Sequence, residues 1–259
     1  MTRALVTGAA KRLGRAMALE LADQGYDVAV HYGQSAEAAE DVAELIRAKG
    51  RRAATVQADL TAEDDMQRLV PAAAEALEGP LTCLVNNASI FDKDEVDSVT
   101  RESWDRHMDC NLRAPFVLTQ AFARAVPAPL RDEDGRATAQ GLVINLIDQR
   151  VRKLTPDFTS YTLSKAALWS LTQTLAQALA PAIRVNAIGP GPTLQGARQG
   201  ADDFLQQQMA TILERGSNPD DIIGALRYFL TAPGVTGQLI CTDGGQHLAW
   251  KTPDVEGVE

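Results

Sequence analysis

Thr7-Gly8-Ala9-Ala10-Lys11-Arg12-Leu13-Gly14 follows the apolar run Ala4 to Val6 and opens a stretch of helical periodicity from Leu13 to Ala22. In that setting Gly8 permits a tight strand-to-helix turn, and Gly14 lets the new helix approach the sheet closely. The first N–H groups of such a helix have no partner within it, so they favour a phosphate placed at the end of the strand. The middle glycine of the usual Gly-x-Gly-x-x-Gly pattern is replaced by Arg12, next to Lys11. These cations add positive charge for phosphates or for a substrate. An ordinary glycine turn would also explain Gly8 and Gly14, so the rest of the chain must discriminate.

Outward from this turn, strand-length apolar runs recur at Asp27 to Tyr32, Ala53 to Ala58, Cys83 to Val85, Leu142 to Leu146, Ile183 to Ile188 and Gln238 to Cys241. Helical periodicity separates them, as at Ala36 to Ala48, Met66 to Leu77 and Tyr161 to Leu179. Short apolar strands alternating with helices predict an α/β fold. The expected form is a Rossmann-type, doubly wound, seven-stranded parallel sheet with helices on both faces. Strand order should reverse after the third strand, which puts the ligand crevice at the strands' C-terminal ends. With no linker or repeat, residues 1–259 read as a single domain. Arg131 to Gln140 reads as an exposed loop, residues 192–215 as a substrate loop, and 248–259 as a short tail.

The formal net charge of −9 argues against nucleic acid or an anionic membrane as partner. Cys83, Cys110 and Cys241 lack metal-ligand spacing, so no metal is expected and the thiols read as reduced. Met1 leads directly into an apolar strand without secretory-signal features, and no apolar run reaches membrane-spanning length. The expected compartment is the cytoplasm.

The second strand ends His31-Tyr32-Gly33-Gln34-Ser35, without the carboxylate that usually accepts ribose hydroxyls in NAD-binding folds. Ser35 can donate to a 2′-phosphate and Lys11 or Arg12 can neutralise one, which favours NADP(H). Capping of the next helix is the alternative role for Ser35. Asp59 and Leu60 follow the third strand, where Asp59 suits either the adenine amine or a turn. Asn86 and Asn87 end the fourth strand and Ala88 and Ser89 follow; a turn alone would also account for the asparagines.

Tyr161-Thr162-Leu163-Ser164-Lys165 begins a long amphipathic helix. Tyr and Lys four residues apart share a helical face, so the ammonium is expected to lower the tyrosine pKa toward the working range of an acid or base.

With Thr7-Gly8 to Gly14, Asp59, Asn86-Asn87-Ala88, Asn111, Tyr161 with Lys165, Pro190-Gly191 and Asp243-Gly244-Gly245 in order, the chain resembles the short-chain dehydrogenases/reductases over residues 3–247. That resemblance implies Tyr161 as general acid, with Lys165 lowering its pKa and holding the nicotinamide ribose. It implies Asn111 as an organiser of a relay water, and Pro190, Gly191 and Thr193 beside the nicotinamide carboxamide. It further implies a homotetramer built through the long helices and last strand.

The family's usual catalytic serine, thirteen residues before the tyrosine, is replaced by Asp148. A carboxyl group suits proton delivery to a basic nitrogen better than polarisation of a carbonyl. A solvated loop aspartate is the plain alternative. Together with Arg12, Ser89 and Phe91, Asp148 makes the chain similar to pteridine reductases and bacterial dihydropterin reductases. This similarity implies a flat pterin held between the nicotinamide and Phe91, with Ser89 and Arg12 at its polar edge. Phe91 as a core residue is the alternative. The expected function is NADPH-dependent reduction of a dihydropterin C=N bond. A ketone or 3-oxoacyl reductase is the alternative, and a non-catalytic dinucleotide-binding regulator is disfavoured because Tyr161, Lys165 and Asn111 are all present.

Overall fold

A computed structural model of the protein describes residues 2–196 and 199–250. Seven strands form one parallel sheet: β1 (Arg3–Val6), β2 (Asp27–Tyr32), β3 (Ala53–Gln57), β4 (Cys83–Asn86), β7 (Gly141–Leu146), β8 (Ile183–Pro190) and β9 (Leu239–Thr242). Their order is β3-β2-β1-β4-β7-β8-β9. The chain therefore works outward from β1 to one edge, then returns to pair β4 with β1 and builds the other half. The reversal between β1 and β4 opens a crevice at the strands' C-terminal ends.

Alternation along the strands divides the core into two layers. Val28 and Val30 of β2, and Leu142 and Ile144 of β7, face α1 (Arg12–Asp23), α2 (Ala36–Ala48) and α8 (Pro219–Thr231). Ala29 and Val143 point the opposite way, toward α3 (Glu63–Ala76) and α5 (Ala114–Ala125). All six residues of β7 are buried, as expected of a central strand covered on both faces.

Three stretches differ from the expectation. Within the polar segment 131–140 a small antiparallel hairpin forms, pairing β5 (Leu130–Arg131) with β6 (Ala137–Thr138). The segment 192–215 contains α7 (Ala201–Met209), whose apolar positions Ala201, Phe204, Leu205 and Met209 are not buried. Between β4 and α5 lies α4 (Arg101–Met108), joined to α5 by the π-helical turn Asp109–Arg113. Of the tail, Trp250 is exposed and residues 251–259 lie outside the described residues. Cys83 and Cys110 are buried and Cys241 half-buried, all as free thiols. No helix among the described residues is long and apolar enough to cross a membrane.

Candidate active site

The glycine turn is held from both sides. Gly8 adopts φ +62°, and its N–H donates to His31 Nδ1 (2.9 Å). This leaves Nε2 as the protonated nitrogen, donating to Ala58 O (3.1 Å). Burial pushes the His31 pKa down, so the neutral ring is favoured. His31 thus lines the crevice while both its nitrogens tie the turn to the end of β3. On the other side, Asn87 Nδ2 donates to Thr7 O (2.8 Å), and the Asn87 and Ala88 N–H groups both donate to Thr7 Oγ1 (2.9 Å each). A Cβ added at Gly14 would lie 2.2 Å from Gly8 O and 2.6 Å from Asn87 Nδ2. Only glycine fits there.

These constraints present the start of α1 to the crevice. The helix has no side-chain cap at Lys11 and no acidic residue in its first turn, so its N–H dipoles fit an anion. A cavity of about 810 Å³ runs past Gly8, His31, Gln34, Asp59, Leu60 and Ala88. Tyr32 ends β2 nearby, partly exposed. Ser35 is at the N-cap position of α2 but does not cap it through its hydroxyl, so the capping alternative does not hold. Asp59 Oδ1 accepts from Thr61 N (2.9 Å) and Thr61 Oγ1 (2.7 Å), which lowers its pKa and builds a turn at the cavity edge.

A second cavity, of about 350 Å³, joins Arg12, Leu13, Asn87 and Ser89 to Phe91, Asp148, Tyr161, Lys165, Pro190, Gly191 and Thr193. The sequence-expected catalytic and substrate residues other than Asn111 therefore share one space. Tyr161 Oη donates to Asp148 Oδ2 (2.9 Å), and Asp148 Oδ1 accepts from Arg150 N (2.8 Å). Lys165 is buried and its Nζ donates to Leu146 O (2.8 Å). Asn111 belongs to the π-helical turn, a distortion common at functional sites. Its Oδ1 accepts from Ile90 N (2.8 Å) and Ser89 Oγ (3.1 Å), and its Nδ2 donates to Ile90 O and Ser164 Oγ. The side chain holds the loop after β4.

Electrostatics correct one expectation. Tyr161 is raised well above its ordinary pKa, first by burial and then by the adjacent Asp148 carboxylate. The ammonium of Lys165 lies 5.7 Å from the ring centroid and does not reverse this. The resting group is therefore the neutral phenol rather than a phenolate. Burial also raises Asp148, against the opposing effects of Arg150 N–H, the Arg150 charge, Tyr161 and Lys165. Lys165 is pushed down to about 8, chiefly by burial.

Arg12 reaches a different partner from the one expected. It sits at φ +53°, and its guanidinium donates to Leu194 O (3.1 Å) and Gln195 O (3.0 Å), bridging the glycine turn to the segment after β8. Phe91 is not a core residue, being 46% exposed. It stacks on Phe158 (centroids 4.3 Å apart, planes 11° apart) and meets the Tyr161 ring edge-on at 4.6 Å. Phe158, which the sequence reading missed, supports the Phe91 ring without itself lining the cavity. It lies three residues before Tyr161 in the left-handed region (φ 59°, ψ 54°), with Arg150 over its ring at 5.1 Å. No sequence pattern singles it out, because its place depends on that unusual backbone.

A phosphate-seeking helix start and a Tyr–Lys pair, meeting at the switch point of a doubly wound sheet, define an oxidoreductase of the dinucleotide-binding class. The family model for short chain dehydrogenases matches residues 2–205, and the chain belongs to that family. It is 33% identical over 250 residues to the 3-oxoacyl-[acyl-carrier-protein] reductase of Staphylococcus aureus strain Mu50, covering 95% of this chain and 98% of that one. Among solved structures it resembles the alternative dihydrofolate reductase 1 of Brucella canis complexed with NADP. That match has 47% identity and a TM-score of 0.90, with 98% and 97% of the two chains covered. An angucycline C-6 ketoreductase with bound NADP matches at 31% identity and a TM-score of 0.86, covering 96% of each chain.

Proposed function

We propose that this protein is an NADPH-dependent reductase of a C=N bond in a dihydropterin or related pteridine. The observation that carries the reading is the hydrogen bond from Tyr161 Oη to Asp148 Oδ2 inside the crevice. The 47% identity to a dihydrofolate reductase complexed with NADP supports it.

The crevice fits the cofactor: an uncapped helix start, a glycine cradle that any Cβ would fill, and no carboxylate from Tyr32 to Ser35 to repel a 2′-phosphate. Gly8, Leu13, Gly14, Asn87 and Ala88 would surround the pyrophosphate side, Lys11 and Ser35 the 2′-phosphate, and Lys165, Pro190, Gly191 and Thr193 the nicotinamide side. Held by these residues, NADPH would supply the hydride for the substrate carbon. Tyr161 donates its proton to the neighbouring nitrogen, so the double bond becomes CH–NH with one hydride and one proton gained. Burial keeps the proton on Tyr161 in the resting site, and Asp148, whose own pKa burial raises, can in its protonated form replace the proton that Tyr161 gives up. Phe91, stacked on Phe158, lines the same cavity as Ser89 and Arg12, where it would contact a flat ring.

A second reading, reduction of a ketone or 3-oxoacyl substrate, is favoured by the 33% identity to an acyl-carrier-protein reductase. Initial rates of NADPH oxidation with dihydrobiopterin, dihydromonapterin, dihydrofolate and simple ketones separate the two. Rapid ketone reduction with all three dihydropterins inert overturns the pteridine reading. The finer expectations are a cytoplasmic compartment and, from the family resemblance alone, a homotetramer, whose assembly sedimentation equilibrium tests.

A further inference from the structure

Beside the catalytic tyrosine, and lining neither cavity, lies a buried polar cluster that the reaction above does not use; its His107 ring meets the Tyr161 ring edge-on at 6.1 Å. Asp94, from the loop that carries Phe91, is 3% exposed, and His107 of α4 and Ser160 of α6 (Thr159–Ala178) are fully buried. The direction of each bond is set by its partners. Asp92 N–H donates to His107 Nε2 (3.1 Å), so the proton of the neutral ring is on Nδ1. That N–H points at Ser160 Oγ (2.7 Å), and the Ser160 hydroxyl donates in turn to Asp94 Oδ2. Burial, the largest influence, keeps the His107 pKa below its ordinary value, consistent with the neutral ring.

Asp94 also caps the catalytic helix across a gap of 66 positions in sequence. Its Oδ1 accepts from Ser160 N (3.0 Å), and its main-chain carbonyl accepts from Thr159 N (3.2 Å). The local N-cap residue, Phe158, gives no side-chain cap. A carboxylate at a helix N-terminus is favoured by both the free N–H groups and the dipole. Ser, His and Asp together suggest a nucleophilic triad, but the geometry rejects it. Ser160 Oγ is enclosed and lines neither cavity, and Asp94 binds the serine while lying 3.8 Å from the ring nitrogen.

We propose that Asp94, His107 and Ser160 are positioning residues that fix the proton donor Tyr161 relative to the substrate wall at Phe91. Tyr161 follows Ser160 directly, and Phe91 precedes Asp92 and Asp94 on the loop they anchor. His107 is the hinge piece: one nitrogen holds the loop and the other holds the helix. The assignment of Tyr161 as acid and Phe91 as wall rests on the proposed function.

The two nitrogens can be tested separately, because Asn places an amide near the Nδ1 position and Gln places one near Nε2. His107→Asn, which keeps the serine contact and gives up the loop, should raise substrate KM about tenfold with kcat nearly unchanged. His107→Gln, which keeps the loop and gives up Ser160, should lower kcat about tenfold with KM nearly unchanged, as a small displacement of a reacting group does. NADPH affinity, read by fluorescence titration, should stay within about twofold in both, because no member of the cluster lines the cofactor's cavity. A fall in melting temperature without this kcat-against-KM split, or equal changes in both constants, overturns the proposal. Should either histidine variant fail to fold, Ser160→Ala carries the test, and wild-type kcat in that variant refutes it. Inactivity of the wild type on every dihydropterin refutes only the substrate reading, and the same split is then measured on the ketone that it reduces.

Discussion

Replacing Lys165 by Met should make the cofactor-free protein more stable at neutral pH while removing most of its turnover. The ammonium is 2% exposed, with Leu146 O as its hydrogen-bond acceptor, and burial pushes its pKa from 10.5 down to about 8. That depression corresponds to about 3 kcal/mol opposing folding with the lysine charged. Methionine fills similar space without a charge, but it gives up the bond to Leu146 O, worth about 1–2 kcal/mol. The variant should therefore gain about 1–2 kcal/mol at pH 7, a shift of a few degrees in Tm for a chain of this size. The folded pKa lies below the unfolded one, so the unfolded chain binds more protons between pH 8 and 10.5. Wild-type stability attributable to Lys165 consequently rises through that window, its penalty being complete below pH 8 and gone above 10.5. Urea unfolding of both proteins without cofactor, at pH 7 and pH 10, measures the difference; common groups cancel except Asp148 and Cys110, whose charges couple to Lys165. A variant less stable than wild type at pH 7, or an equal difference at both pH values, would refute the reasoning. NADPH titration should separately show weaker binding.

Tyr161→Phe should keep the fold and NADPH affinity but lower kcat by about 10²- to 10⁴-fold, the usual contribution of a general acid, as steady-state assays would show. Gly14→Ala should abolish NADPH binding in fluorescence titration, because its Cβ would lie 2.2 Å from Gly8 O and force the turn open. Asp148→Ser should reduce dihydropterin turnover far more than NADPH binding; equal turnover would show that Tyr161 needs no carboxyl beside it. For the wild type, kcat/KM should favour NADPH over NADH, and equal efficiency would remove the argument built on residues 32–35.

Continuous apolar runs along Asp27 to Tyr32 and Leu142 to Leu146 were enough to assign buried parallel strands, because a strand covered on both faces has no polar side. The glycine turn was legible too: Gly8 needs a positive φ and Gly14 needs to lack a Cβ, and both demands are local to one turn. Tyr161 and Lys165 share a helix, so their common side was written in their spacing. Asp148 was found only through resemblance, at a fixed offset from the tyrosine. Tertiary structure decided what sits against these residues. His31 grips the glycine turn, Arg12 reaches the carbonyls of Leu194 and Gln195, and Phe158 stacks on Phe91 from a left-handed backbone. The raised pKa of Tyr161 likewise depends on enclosure and on the placement of Asp148, whereas spacing alone pointed toward a lowered one. The Asp94–His107–Ser160 cluster joins a loop and two helices at separations of 53 and 66 residues, and its members carry no common periodicity. Periodicity records how one element meets its own core. Which polar groups from separate elements converge is set by the packing of those elements, and there the cost of an unpaired buried group selects the partners.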